Sequence, residues 1–124
     1  MARVYSLLRK STLALRERKR ALLRSLARPP MAAIRASVVE RYGTCGKANC
    51  SCHAGAKHGP YYYLTQCVAK GHVQKFQLKT PKQQQRARDA VAVFNQFYDL
   101  LEELSQINAE LLRRDEPVET TGLT

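Results

Sequence analysis

Apolar residues recur along the front of the chain at helical spacing: Val4, Leu8, Leu15, Leu22 and Leu26, with Leu7 and Leu23 beside them. The pattern predicts a helix over residues 3–27. Its stripe is interrupted at "RERKR" (Arg16 to Arg20), where Arg18 and Lys19 occupy the turn that should be apolar. Burying that turn would strand charge, so it is expected to lie exposed or against an anion. Pro29-Pro30 then stops the helix.

From Ser37 the period changes. "SVVERY" is β-branched and aromatic, and "YYYLTQCVA" and "HVQKFQL" are two further strand-like runs joined at Lys70-Gly71, a tight-turn pair. Five of the six glycines fall between Gly43 and Gly71, which marks this stretch as turn-rich. Thr80, Pro81 and Gln83 then read as a helix start with a capping box.

The helix that follows is predicted to run to about Arg114. Its heptad core is Ala87, Ala90, Phe94, Phe97, Leu101, Leu104, Asn108 and Leu111, flanked by Val91, Tyr98 and Leu112 on one side and Val93, Leu100 and Ile107 on the other. Only the face with Asp99, Glu102, Glu103, Gln106, Glu110 and Arg113 stays polar. A two-helix seam needs just the a and d positions, so this wider stripe calls for two neighbours. One is the sheet or the first helix, and the other is a partner chain, with Asn108 fixing the register; an ordinary intramolecular core accounts for the stripe equally well.

The fold class is therefore α+β. A basic N-terminal helix or arm (1–35) precedes a Cys/His knuckle with a three-stranded antiparallel sheet (36–80). A long coiled-coil-like helix (81–114) and a disordered tail (115–124) follow.

Charge sharpens this picture. The chain of 124 residues carries 21 Lys+Arg against 10 Asp+Glu. Residues 1–35 hold ten bases and one acid, residues 36–80 six and one, and residues 81–124 five and eight. A solvated surface needs no such gradient, which points to a polyanionic partner for the front and middle of the chain. Arg16, Arg18, Lys19, Arg20 and Arg24 are the first candidate contacts for nucleic acid, followed by Lys47 and Lys57. No apolar run reaches the ~20 residues of a membrane span. Arg9 and Lys10 break the N-terminal apolar stretch, so it is not a secretory signal; an Arg-rich transit peptide is the lesser alternative to a cytoplasmic protein.

Residues 45–58 contain the densest chemistry. Cys45, Cys50, Cys52 and His58 follow a C-x4-C-x-C-x5-H spacing in a loop with nothing large and apolar to bury. Three thiolates and an imidazole suit a tetrahedral zinc, and four protein ligands leave no vacancy, so the ion would be structural. Gly46, Gly55 and Gly59 are placed to let the loop turn and return. Adjacent side chains point apart, which sets His53 aside in favour of His58; Cys67 and His72 are reserve ligands within the hairpin. The competing reading is a redox pair, Cys50 and Cys52, with Lys47 and His53 nearby, but it leaves Cys45 and His58 unexplained.

Tyr61 and Tyr63 share one strand face and Tyr62 takes the other. One face is expected against the long helix, and the other offers an aromatic platform for a base with lysines nearby. The plainer account is that tyrosine is a good strand residue. No paired carboxylates, phosphate-cradling glycine loop or nucleophile with a base at a recognisable spacing point to an enzyme.

The stretch "SVVERYGTCGKANCSCHAGAKHGPYYYL", with its hairpin, "TP" cap and helix ending "LLEELSQINAELLRR", resembles a group of small uncharacterised prokaryotic proteins. Their shared pattern is CGK-x-x-C-x-C, a short gap, then HGPYYYL. The resemblance spans about residues 36–114 and carries over Cys45, Gly46, Lys47, Cys50, Cys52, His58, Gly59, Pro60 and Tyr61. Members often lie beside transposase genes, which implies mobile-element company and no particular activity. Cys67 and the N-terminal helix lie outside that pattern. The expected function is a zinc-stabilised nucleic-acid-binding accessory protein; the alternative is a protein–protein module that assembles, with itself or another chain, through residues 87–112.

Overall fold

The computed structural model describes residues 7–28 and 30–118. Two helices and one sheet appear in the order α1 (Thr12–Leu26), β1 (Ser37–Gly43), a single 3-10 turn (Ser51–His53), β2 (His58–Ala69), β3 (His72–Leu78) and α2 (Pro81–Arg113). This is the expected α+β class with its long C-terminal helix. No described helix is long and apolar enough to cross a membrane.

Within the described residues the predicted run is interrupted: Leu7 and Leu8 are helical, residues 9–11 are not, and α1 begins at Thr12. Ser11 has extended backbone (φ −66°, ψ 157°), and its side chain accepts from the Ala14 N–H at 3.1 Å. An N-cap here restarts the chain at Thr12 and separates Leu7 from the helix proper. Pro29 and residues 1–6 lie outside the described residues.

The sheet is antiparallel, with β2 between β1 and β3. Its register places Val38, Leu64 and Phe76 in one row and Glu40, Tyr62 and Leu78 in the next, all on one face. Val39, Tyr63 and Gln77, with Ser37, Thr65 and Lys75, stand on the other. Lys70-Gly71 forms the predicted turn, with Gly71 at φ +79°. Thr80 caps α2 by accepting from the Gln83 N–H at 3.0 Å, while Gln83 Oε1 reaches one residue further back than a capping box requires and accepts from the Lys79 N–H.

The described residues form two compact units, 32–95 in one and those up to Met31 with those from Gln96 onward in the other, so α2 contributes to both. In the first, Leu64, Leu78 and Ala87 make the core, with Ile34, Val38, Tyr62 and Val91 packed against it. The Ile34 N–H donates to the Ala90 carbonyl at 3.1 Å and ties the approach to β1 onto α2. In the second, Leu7, Leu15 and Leu22 meet Ile107 and Leu111, with Leu100, Leu104 and Val118 at the edges. The two helices run antiparallel there, since Arg114 donates to Thr12 Oγ1 and Arg18 to Glu103.

Both neighbours of α2 among the described residues are intramolecular, the sheet in one unit and α1 in the other. Within residues 32–95 the helix turns Ala87 and Val91 to the sheet, and within the other unit it turns Leu100, Leu104, Ile107 and Leu111 to α1. Leu101, a predicted core position, is left 47 % exposed, and Tyr98 and Leu112 are exposed as well.

Three further expectations are corrected. Glu110, assigned to the solvent face, is buried. Hydrogen bonds from Arg113, then Arg114, hold its carboxyl down at about 2. Lys19, expected to be exposed or against an anion, is only 6 % exposed between Leu15 and Leu22, and no described residue bonds its Nζ. Its aliphatic stem completes the stripe, which is how a charged residue fits an apolar seam. Finally, residues 115–118 are an ordered helix cap. The Asp115 N–H donates to Leu112 O and the Glu116 N–H to Leu111 O, with Asp115 left-handed at φ 58°. That is a Schellman cap, and it returns Val118 to the core. The rest of the predicted tail, residues 119–124, lies outside the described residues.

Candidate metal centre

Strand pairing closes the Cys/His loop before any ligand is considered. Gly43, the last residue of β1, stands opposite His58, the first of β2, across an irregular step in the ladder. Cys45 lies two residues beyond one end and His58 forms the other. Between them the Cys50 N–H donates to the Lys47 carbonyl, and the His53 N–H to the Cys50 carbonyl, winding the 3-10 turn that carries Cys52 inward. Cys52 is fully buried, whereas Cys45, Cys50 and His58 are half-buried.

Gly59 is the glycine this geometry demands. It has φ +137°, and a Cβ there would stand 2.9 Å from the Arg41 carbonyl oxygen. Gly46 and Gly55, also expected to turn the loop, keep φ outside the left-handed region.

The three thiol sulfurs and the imidazole of His58 all lie within 4.8 Å of one another. A tetrahedral ion with bonds of about 2.3 Å to sulfur and 2.0 Å to nitrogen needs S–S edges near ~3.8 Å and S–N edges near ~3.5 Å. Cys45 Sγ and Cys52 Sγ are 3.7 Å apart, and Cys50 Sγ lies 3.1 Å from His58 Nε2. The residues present therefore fit a closed four-ligand metal site, completed by slight opening of the Cys50–His58 edge and closing of the wider ones.

Electrostatics favour deprotonated donors at two of the three thiols. Backbone hydrogen bonding at Cys52, then the His58 side chain, lowers the Cys50 thiol to about 6. Backbone hydrogen bonding at Lys47 leads the lowering of Cys45. Cys52 accepts from the Cys45 N–H, which favours its thiolate, yet burial and the two neighbouring thiols together hold it above its usual value. Hydrogen bonding to Cys50, then Cys45, raises His58, and a metal bound through its imidazole would compete with that protonation.

The reserve ligands are elsewhere. His53 Nε2 lies 2.8 Å from the Lys47 carbonyl, Cys67 is exposed and directs its thiol to Ala69 O, and His72 is exposed on β3. Sequence reasoning did not foresee that Lys57 would brace the loop, its Nζ donating to the Cys52 carbonyl at 3.0 Å. Nothing in a lone lysine signals that role.

The seven candidate nucleic-acid contacts divide between the units. Arg16 pairs with Glu116 and donates to the Pro117 carbonyl, Arg18 is bidentate to Glu103, and Lys19 is buried. Arg20 and Arg24 are exposed on α1. Lys47 and Lys57 are exposed on the knuckle, Lys57 with its ammonium already engaged.

The profile of a family described as "Domain of unknown function (DUF6788)" matches residues 12–86. The chain belongs to this family. The match begins at the first residue of α1, so the family includes the basic helix that the Cys/His pattern alone left out. Comparison with curated proteins and with solved structures finds no significant match.

Proposed function

Within this family of unknown function, we propose that the chain is a zinc-stabilised nucleic-acid-binding accessory protein. Zinc is the ion that three thiolates and one imidazole in a tetrahedron suit best, and four protein ligands make it structural. The observation that carries the nucleic-acid reading is where charge remains uncompensated. Residues 32–95 hold ten Lys and Arg against two acids, Glu40 and Asp89, a net +8 of the chain's +11. On α1, by contrast, Arg16 and Arg18 are matched by Glu116 and Glu103. The contact surface accordingly centres on residues 32–95, with Lys47 first. Mobile-element company, implied by the motif resemblance, would suit such a protein.

Binding of the zinc-loaded chain to labelled duplex DNA and single-stranded RNA across a salt series tests this. Log affinity should fall linearly with log salt, with a slope near −0.9 per neutralised phosphate on the duplex and about −0.7 on a single strand. Lys47→Ala should flatten the slope by about one contact while leaving the fold intact. Absence of binding at low salt would retire the reading.

A second reading has its own support. Tyr98, Leu101 and Leu112 remain exposed on α2, and Asn108 beside them has a buried Oδ1 that no described residue bonds. A second copy packed on this face would cover them. The wild-type chain would then sediment as a dimer and the Leu101→Asp, Leu112→Asp variant as a monomer; a monomeric wild type would reject it.

A further inference from the structure

We infer that the sheet face opposite α2 is a platform for single-stranded nucleic acid, with Tyr61 and Tyr63 stacking on bases and Arg41 and Lys75 taking the flanking phosphates. This deepens the nucleic-acid reading and rests on it.

The three neighbouring tyrosines have divided their work. Tyr62 packs into the core under α2, and the Arg88 guanidinium stands 5.0 Å from its ring centroid, so it is committed to the fold. Tyr61 and Tyr63 point to the other side. Tyr61 is 40 % exposed and Tyr63 half-buried, and no described residue forms a hydrogen bond with either phenol. A tyrosine placed for architecture is expected to bury its ring and anchor its hydroxyl. Neither condition is met fully here.

The surroundings specify a polyanion. Arg41 pairs directly across from Tyr61, and Lys75 lies on the diagonal from Tyr63 with its ammonium 5.9 Å from the ring centroid. Both acids of this unit are elsewhere: Glu40 is on the α2 side, where it accepts from the Tyr42 hydroxyl, and Asp89 is on α2 itself. Lys75 covers one side of the Tyr63 ring, but an exposed cation–π contact on a flexible stem is weaker than base stacking, and a phosphate would draw the ammonium away. Gln77, opposite Tyr63, adds a donor and an acceptor within reach of a base edge.

The spacing favours a single strand over a duplex. Residues two apart on a strand are about 6.8 Å apart. Stacked bases in a duplex follow each other at ~3.4 Å and hide their faces from any side chain. Two rings at twice that separation fit an opened strand whose bases are splayed.

The test uses the intact zinc-loaded chain with labelled oligo-dT, oligo-U and a duplex of equal length. Either single strand should bind more tightly than the duplex; preference between oligo-dT and oligo-U identifies DNA or RNA. Tyr61→Ala and Tyr63→Ala should each weaken single-strand binding about 5- to 150-fold with the salt slope unchanged, because stacking releases no counterions. Arg41→Ala and Lys75→Ala should flatten the slope instead. The chain has six Tyr and no Trp, so bound bases should quench its intrinsic tyrosine fluorescence. The Tyr61→Phe, Tyr63→Phe double variant should keep single-strand affinity and lose most of that quenching, which also guards against a variant that merely misfolds. Salt-dependent binding that favours the duplex, or is indifferent to both alanine variants, would overturn the platform and leave the broader reading standing. No binding of any probe at low salt would overturn both.

Discussion

Stripping the metal from the intact chain is expected to unfold the segment between Cys45 and His58 while the α1–α2 core stays helical. The loop buries little besides Cys52, and its internal bonds are a few turn contacts. Binding of a structural zinc contributes on the order of 10 kcal/mol to folding in small zinc modules, far more than those contacts supply. Leu15, Leu22, Ile107 and Leu111, by contrast, are fully buried with no ligand among them. Hydrogen exchange after chelation should therefore show protection lost from the knuckle and the adjoining ends of β1 and β2, with α1 and the second half of α2 retained. Cys52→Ser should reproduce this and weaken zinc binding by more than ~100-fold, beyond what loss of an outer-shell partner causes. Cys67→Ser should change neither, since its thiol stands outside the cluster. Unchanged knuckle protection after chelation would mean that the loop is held by something other than metal.

The second large effect lies in the helical unit. Ile107→Ala should cost about 2–5 kcal/mol, because its side chain is 0 % exposed and the hole it leaves is walled by Leu15, Leu22 and Leu111. Lys19→Met should act in the opposite direction. Methionine keeps the stem that fills the stripe and removes a buried ammonium that no described residue bonds, worth about 1–3 kcal/mol. Urea unfolding followed by the helical circular dichroism signal measures both. A Lys19→Met protein no more stable than wild type would show that its ammonium finds a partner in solution.

Much of this architecture was legible in the sequence because it depends on local chemistry. The hairpin at Lys70-Gly71, the Thr80 cap and the four donors of the knuckle each follow from neighbours in the chain, and the structure forms the turn and the cap and gathers the four donors within 4.8 Å. What could not be read depends on which distant residue answers a charge. "RERKR" advertises a polyanion site until Glu103 and Glu116, 85 and 100 positions away, are seen against Arg18 and Arg16. Lys19 reads as a break in the apolar stripe because a linear pattern does not distinguish an ammonium from its stem. Glu110 reads as solvent-facing because its partners, Arg113 and Arg114, lie on the same helix and look like an ordinary polar turn. Ser11 is hidden in the sequence for a different reason. Its cap interrupts a run whose leucines keep helical spacing on both sides.

These pairings also move the expected contact surface. Once Arg16 and Arg18 are matched within the chain, most of the excess lies in residues 32–95, so the account depends on the knuckle of that unit being held by a metal. X-ray absorption at the zinc edge, on the protein as purified, tests this most directly. Three sulfurs at about 2.3 Å and one nitrogen at about 2.0 Å, with one zinc per chain, is the predicted shell. Protein free of zinc that keeps a protected knuckle, or a shell with water oxygen in place of His58, would contradict it.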